Sequence, residues 1–526
     1  MATADKPPTA APGGALGSDP AAVATRRSYT ELKPNAMGTP GVTFLVLAGV
    51  TPLAAFMAIL PLGIAFGSGA GFPGIVLVVV IALAFFAVGY VAMSKKIPVV
   101  GAFYAYVSRG INRPVGAATA IVAVIAYLGT CMSMAGNTGF FTMSAISENG
   151  GPHIKWWIIS IAVVILVGIL SSFGIDVSAK IVMVLCTYEF CIVMMVVIAI
   201  MVKDGLGSFT FSSFNPRVIF QGAPGVGLVF AFCLFLGFEA TAIYSEESKN
   251  PSKTIGRATY IALTVISLFY MLVAMSLVAA YGAAHLQNVA AKDPGGFAVA
   301  TASHYLGGWA GQLFEWGIIA SLFAAMLGIH NSGSRYLFAM GVSGLLPRWL
   351  GKVSRRFGSP IAAVIFASFL ELCVVILCAI GSVDPFIGLG GVGAAVGTFG
   401  IVLLQATAAA SVVGFFWNRD DKSWAKTIIL PGIGCLMLYV GVGLIIKYFS
   451  VLTGYTVGWI NALPWIVIGL GACGCAYALW LRAYRPTRYA IIGRAMEEKR
   501  MEDIFAEEAQ IAEELESAGT PASPAS

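Results

Sequence analysis

The chain has 526 residues, 58% hydrophobic and only 11% charged, with a mean hydropathy of +0.86. Soluble domains carry about 25% charged residues, so these values exclude a soluble enzyme and indicate a polytopic membrane protein. The formal net charge of +6 follows from where the basic residues fall along the chain and needs no nucleic-acid partner.

Residues 1–36 are rich in Ala, Pro, Thr and Gly and have no apolar core. They read as a disordered tail without a cleavable signal, so the first membrane helix is expected to be the insertion signal. Apolar runs long enough to span follow at about 42–66, 74–94, 115–146, 155–173, 177–202, 225–246, 258–281, 309–340, 360–380, 386–416, 427–449 and 459–481. They are numbered here as runs one to twelve. Runs three and eight are long enough to tilt or to extend past the membrane. The expected domains are a tail at 1–36, a membrane domain at 37–485 and a charged tail at 486–526. Within the membrane domain, 42–202 and 225–416 form two repeats and 427–481 adds two helices. In the last tail, 494–517 carries a partial apolar face and reads as an amphipathic helix, most simply a solvated one.

Placing the N-terminus inside and alternating puts 26 of the 31 Lys and Arg residues on inside segments and 5 outside. This asymmetry follows the positive-inside rule and predicts that both termini are cytoplasmic. A one-helix error in the count would scramble it.

Two runs are interrupted. Run one breaks at Thr51-Pro52, about ten residues after its start. Run six breaks near Gly237, in the string Gly237-Phe238-Glu239. Glu239 lies about 14 residues into its run, roughly 21 Å along a helix, near the middle of a layer about 30 Å thick. A carboxylate there costs about 2.5 kcal/mol or more, so a functional role is the default expectation. The broken runs are the first members of two five-helix sets, one to five and six to ten. An odd number per set inverts the second set in the membrane, and matched broken helices point to a solute site between the halves. Thr51, Pro52, Ala54, Ala55 and Phe56 are expected to line the first break, and Phe235, Leu236, Gly237, Phe238 and Glu239 the second.

Other polar residues in the runs are weighed individually. Glu189 lies about 13 residues into run five, about 20 Å in, where a carboxyl group that gains and loses a proton would suit a carrier. A hydrogen-bonded structural role is equally open to it. Glu371 in run nine reads as structural or inter-subunit, Glu315 as interfacial, and His330 as a hydrogen-bonded structural histidine. The nine cysteines all fall in apolar runs and the four histidines are dispersed, so neither metal nor cofactor is expected. There is no Gly-x-Ser-x-Gly elbow and no phosphate loop in a suitable context, and the chain is read as no enzyme, with no catalytic residue.

The stretch GFEATAIYSEESKNPSKTIGRATYIAL, from Gly237, resembles helix six and the following loop of the amino acid–polyamine–organocation (APC) permeases. Pro98–Tyr106 resembles the proline–glycine–tyrosine stretch after their second helix. Asn331, Arg335 and Gly344-Leu345-Leu346-Pro347 resemble the end of their eighth. The resemblance spans roughly residues 36–485. It implies an all-α polytopic fold of 12 transmembrane helices, with the five-plus-five inverted repeat of the leucine transporters plus two C-terminal helices. Two departures stand out. The family's Gly-Ser-Gly at the first break aligns with Ala54-Ala55-Phe56, and Thr51-Pro52 resembles putrescine importers of the same family. The Arg-Asp that precedes Gly-Leu-Leu-Pro in the family is here Val342-Ser343.

By this resemblance the chain is expected to be a secondary active transporter of an amino acid in the plasma membrane, working by alternating access and coupled to a proton or to exchange. A polyamine or organic amine importer is the alternative. Tyr127 and Phe323 join the break residues as expected substrate contacts, because related transporters turn these positions toward the core; a plain aromatic packing role is equally open to them. Glu189 lies near the helix-five lysine that replaces a sodium ion in some proton-coupled relatives. Glu246, Glu247, Lys249, Arg257 and Arg335 are expected at an inner gate. The expected partners are a small amine-bearing solute, a proton or sodium ion, and the lipid bilayer; the oligomeric state is open, a homodimer included.

Overall fold

The computed structural model describes residues 32–97 and 101–493. Most of the expected N-terminal tail, Pro98–Val100 and the amphipathic helix expected at 494–517 lie outside the described residues. Among those residues the architecture is helical, with one isolated bridge pairing Met37 with Ser248.

In chain order the framework begins with α1 (Thr39–Gly49), then α2, a continuous run of short α and π turns over 52–68, then α3 (Phe72–Ser94). A short α4 (Ala102–Gly110) leads into α5 (Arg113–Glu148), α6 (Trp156–Ser172) and α7 (Ile175–Asp204). The second half starts with α8 (Pro224–Cys233), an irregular link and a 3-10 segment, Phe238–Tyr244. It continues through α9 (Pro251–Tyr281), α10 (Gly308–Val342), α11 (Ile361–Ile380) and α12 (Val392–Trp417). The last two helices are α13 (Leu430–Lys447) and α14 (Leu463–Tyr484).

All twelve apolar runs lie on helix, but length and apolarity alone single out ten candidate spans. The difference has two causes. Trp156–Ser172 has only 17 residues, at the short end of what a crossing needs. The stretch Thr39–Ser94 joins two expected spans in 56 nearly continuous helical residues, far more than one crossing needs. It turns at Gly67–Gly71, where Gly69 has φ +54°. The Gln287 side chain donates to the Ala65 carbonyl at 3.2 Å in that turn.

Burial separates a core from a rim. The broken segment 224–244 buries 94% of its most apolar stretch inside the protein, whereas α11 and α14 bury 28% of theirs. On the rim helices large apolar side chains face outward, among them Leu377, Ile380 and Trp465. Such an apolar girdle is what a lipid-facing surface requires. The two broken helices are therefore enclosed by other helices: α1 packs on α7, α9 and α10, and the 3-10 segment packs on α1 and α9.

Candidate functional site

The first break is made by one residue. Thr51 takes φ 52°, ψ 65°, in the left-handed region, with Pro52 opening α2. A β-branched residue there is a genuine outlier, and strain of this kind clusters at ligand clamps. The freed backbone groups are satisfied from three other helices. Tyr270 Oη of α9 donates to the Val50 carbonyl at 2.8 Å. The Leu53 N–H donates to Glu189 Oε2 of α7 at 3.2 Å. The Ala54 N–H donates to Ser321 Oγ of α10 at 3.4 Å, and that hydroxyl donates to the same carboxylate oxygen at 2.7 Å. A polar backbone group left unpaired at this depth would cost several kcal/mol, so the helix can open only where such partners exist.

The second break is local. Gly237 has φ +98°, and its N–H donates to Glu239 Oε2 at 3.0 Å. The other oxygen, Oε1, accepts from Tyr127 Oη of α5 at 3.1 Å, and Gln405 Nε2 of α12 donates to Oε2 at 3.3 Å. Tyr90 Oη of α3 donates to the Glu239 backbone carbonyl at 2.5 Å and accepts from the Ala242 N–H at 3.1 Å. Glu189 and Glu239 are both fully buried.

The two breaks meet backbone to backbone. A Cβ on Gly237 would stand 3.1 Å from the Gly49 carbonyl carbon and 3.3 Å from its Cα. Around this contact the fold gathers the residues singled out in the sequence. Ala54, Ala55 and Phe56 are buried on α2, with Phe56 tilted against Phe314 at 5.7 Å. Phe235 meets Tyr270 edge-on at 6.0 Å and Phe238 meets Phe86 likewise at 6.0 Å. Tyr127 stacks on Tyr336 at 5.3 Å. Phe323 is half-buried on α10.

Beyond the 3-10 segment, Arg335 and Glu247 form a bidentate pair at 2.6 and 2.8 Å, each about 1% exposed. Arg335 also donates to the Asn331 carbonyl at 2.8 Å and lies over the Tyr244 ring at 5.1 Å. The backbone preceding α1 closes on the same segment: the Met37 N–H donates to the Glu247 carbonyl at 3.0 Å, and the Lys249 N–H to the Met37 carbonyl at 2.7 Å. Glu246 is half-buried, while the Lys249 and Arg257 side chains are exposed. Arg335 and Glu247 are thus two expected gate residues that the fold joins directly.

Four polar contributors were not singled out in the sequence: Tyr90, Tyr270, Ser321 and Gln405. Gln405 alone was detectable in principle, as a full amide inside an apolar run. A second buried cluster was equally hidden. Candidate ligand atoms of Cys131, His330 and Glu371 lie within 4.8 Å of one another. His330 Nδ1 and Glu371 Oε1 are 2.9 Å apart, while His330 Nε2 and Glu371 Oε2 have no hydrogen-bond partner. Among the described residues these three could hold a metal ion, as a mixed sulfur, nitrogen and oxygen set of the kind zinc accepts. Their spacing along the chain, across α5, α10 and α11, carries no metal signature.

A model of the amino acid permease family matches residues 37–488. The chain is 27% identical over 306 residues to the branched-chain amino acid permease BcaP of Lactococcus lactis subsp. cremoris, covering 54% of this chain and 64% of that one. The match therefore spans just under two thirds of that relative's length. The chain is also 26% identical over 407 residues to an uncharacterized transporter of Mycobacterium tuberculosis, covering 76% of this chain and 83% of the relative. Among solved structures, the Eremococcus coleocola manganese transporter, in complex with an aromatic bis-isothiourea compound, aligns with a TM-score of 0.54 at 13% identity. That alignment covers 87% of this chain and 98% of the transporter, and it shows the shared fold, the five-plus-five arrangement expected from the sequence. On the strength of the match over 37–488, the chain belongs to the amino acid permease family.

Proposed function

We propose that the chain is a secondary active transporter that moves an amino acid across the plasma membrane by alternating access, driven by a proton or by exchange. The observation that carries this reading is the contact between the two broken helices at Gly49 and Gly237, with one fully buried carboxylate at each break. Paired breaks of this kind are where transporters of this architecture hold their solutes. In this reading Glu239 meets the solute's ammonium group. Thr51, Ala54, Ala55, Phe56, Tyr127, Phe235, Gly237, Phe238 and Phe323 line the solute, and Glu189 carries the coupling proton. Arg335 and Glu247 close the mouth on the basic, cytoplasmic face, with Glu246, Lys249 and Arg257 around them.

The alternative solute, a polyamine or other organic amine, is favoured by one observation. Both breaks already hold a carboxylate of the protein itself, which suits a cation that brings no carboxylate of its own. The test is uptake of a labelled panel of amino acids and amines into proteoliposomes, at two pH values and with and without sodium. Saturable uptake is expected, stimulated by an inward proton gradient or by trans-loaded solute. A protein that binds solute yet supports no flux would be a receptor.

A further inference from the structure

The amino terminus of α2 already holds an anion. Pro52 has no N–H to offer. The next three peptide donors all end within the protein: Leu53 on Glu189 Oε2, Ala54 on Ser321 Oγ, and Ala55 on the Thr51 carbonyl at 2.8 Å. The Ser321 hydroxyl donates a hydrogen bond to the same Glu189 oxygen. Glu189 is fully buried, and its other oxygen, Oε1, has no hydrogen-bond partner. A restarted helix in a membrane attracts an anion at this end, and the orphan donors of a helix must be satisfied by something. Here Glu189 does both. A solute carboxylate drawn to this terminus finds no free donor and meets a like charge.

We propose that Glu189 is a stand-in for the carboxylate of the solute. When one proton neutralises it, it releases the Leu53 N–H and the Ser321 hydroxyl, and the carboxylate of an incoming amino acid takes them. The terminus holds one anion before and one after, so the exchange conserves local charge and ties one solute carboxylate to one proton. This rests on the amino acid reading above and adds its coupling rule. The titratable groups that face Glu189 are Cys186 and Tyr188 of α7 and Tyr270 of α9. From α2 and α10 it receives peptide N–H groups and a hydroxyl. The proton therefore has a carboxylate to settle on and no neighbouring acid of similar strength in that set.

The experiment is direct binding to the purified full chain between about pH 5.5 and 8.5. L-Leucine is compared with isoamylamine, its decarboxylated form, and L-lysine with cadaverine. For the amino acids the affinity should fall toward tenfold per pH unit at the alkaline end, the signature of one proton taken up per solute bound. The amines should show no such slope. Glu189→Gln, isosteric and checked for a monodisperse elution profile, should bind amino acids without the slope and at least tenfold more tightly than wild type at the alkaline end. Ser321→Ala keeps the charge and should keep the slope, which separates the proton from mere packing.

A Gln variant that retains the wild-type slope overturns the proposal, and so does flat amino acid binding in the wild type. Binding of the amines alone overturns it too, while leaving transport standing in its amine form. Absence of both binding and uptake for every compound removes the transport reading and the proposal together.

Discussion

At the break in the first helix the left-handed residue is Thr51, and the carboxylate that caps the restarted helix is Glu189, 136 positions beyond Leu53. At the break in run six the left-handed residue is Gly237, and the carboxylate is Glu239, two positions on. The first break is held by tertiary structure: α7, α9 and α10 each supply one polar group to it. The second draws its carboxylate from its own segment, while α3, α5 and α12 add Tyr90, Tyr127 and Gln405 to it. Movement of α7 or α10 relative to α1 would therefore disturb the first break and leave the second intact. In a transporter of the proposed kind the break in run six would keep the solute's ammonium site constant, and the break in run one would report the state of its surroundings.

The largest effect tests how firmly the sixth-helix segment is anchored at its far end. Arg335→Ala leaves the buried Glu247 carboxylate unpaired, which should destabilise the protein by about 3–5 kcal/mol. Thermal unfolding in detergent should show this as a fall in Tm. The double variant Arg335→Met with Glu247→Leu removes both charges and should recover much of the loss. A single variant as stable as wild type would show that the segment is not anchored there.

Next comes Gly237→Val. The left-handed φ alone costs a β-branched residue about 1–3 kcal/mol, and the new Cβ would stand 3.1 Å from the Gly49 carbonyl carbon. The variant should be less stable, and its uptake should be abolished even in the fraction that folds. Normal uptake would mean that the two breaks need not touch. Glu239→Gln sharpens the comparison at similar depth. The amide still accepts from the Gly237 N–H, so the fold should hold, but binding of a cationic amine should weaken by about tenfold or more, as expected for loss of a charge-assisted bond. Unchanged affinity would remove Glu239 from the solute.

Both breaks are legible in the sequence because each is local: Thr51-Pro52 and Gly237 interrupt otherwise apolar runs, and Glu239 is costly where it lies. Arg335 and Glu247 are legible for the same reason, as charges at the end of such runs. The partners are not. Serines in membrane helices usually bond the carbonyl four residues back, as Ser332 and Ser334 do here at 3.1 and 2.8 Å, so a serine such as Ser321 does not advertise a distant carboxylate. Tyr90 and Tyr270 read as aromatic packing until the opened backbone is placed beside their hydroxyls. Glu189 is conspicuous as a buried acid, but its place at the α2 terminus depends on how α7 packs against α1 and α2, which no local pattern encodes. Cys131, His330 and Glu371 meet for the same non-local reason.

Tyr270→Phe probes that non-local support. It removes the donor to the Val50 carbonyl and leaves a buried acceptor unpaired, at a cost of about 1–3 kcal/mol. The loss should appear in Tm and should add to that of Ser321→Ala only in part, because both residues support one break. Full additivity would mean that the two hydroxyls act on separate elements.

The smallest expected effect lies at Thr51. Thr51→Gly relieves the left-handed strain, which is about 1–3 kcal/mol. It also loosens the unfolded chain, which costs about 0.5–1 kcal/mol relative to a residue with a side chain. The two partly offset, so Tm should stay level or rise by a few degrees at most. The break itself should survive, since Glu189, Ser321 and Tyr270 hold it through backbone atoms that the substitution leaves in place. A large gain in Tm would show instead that Thr51 stores strain the fold does not recover elsewhere. A large loss would show that its side chain, and not the surrounding helices, sets the break.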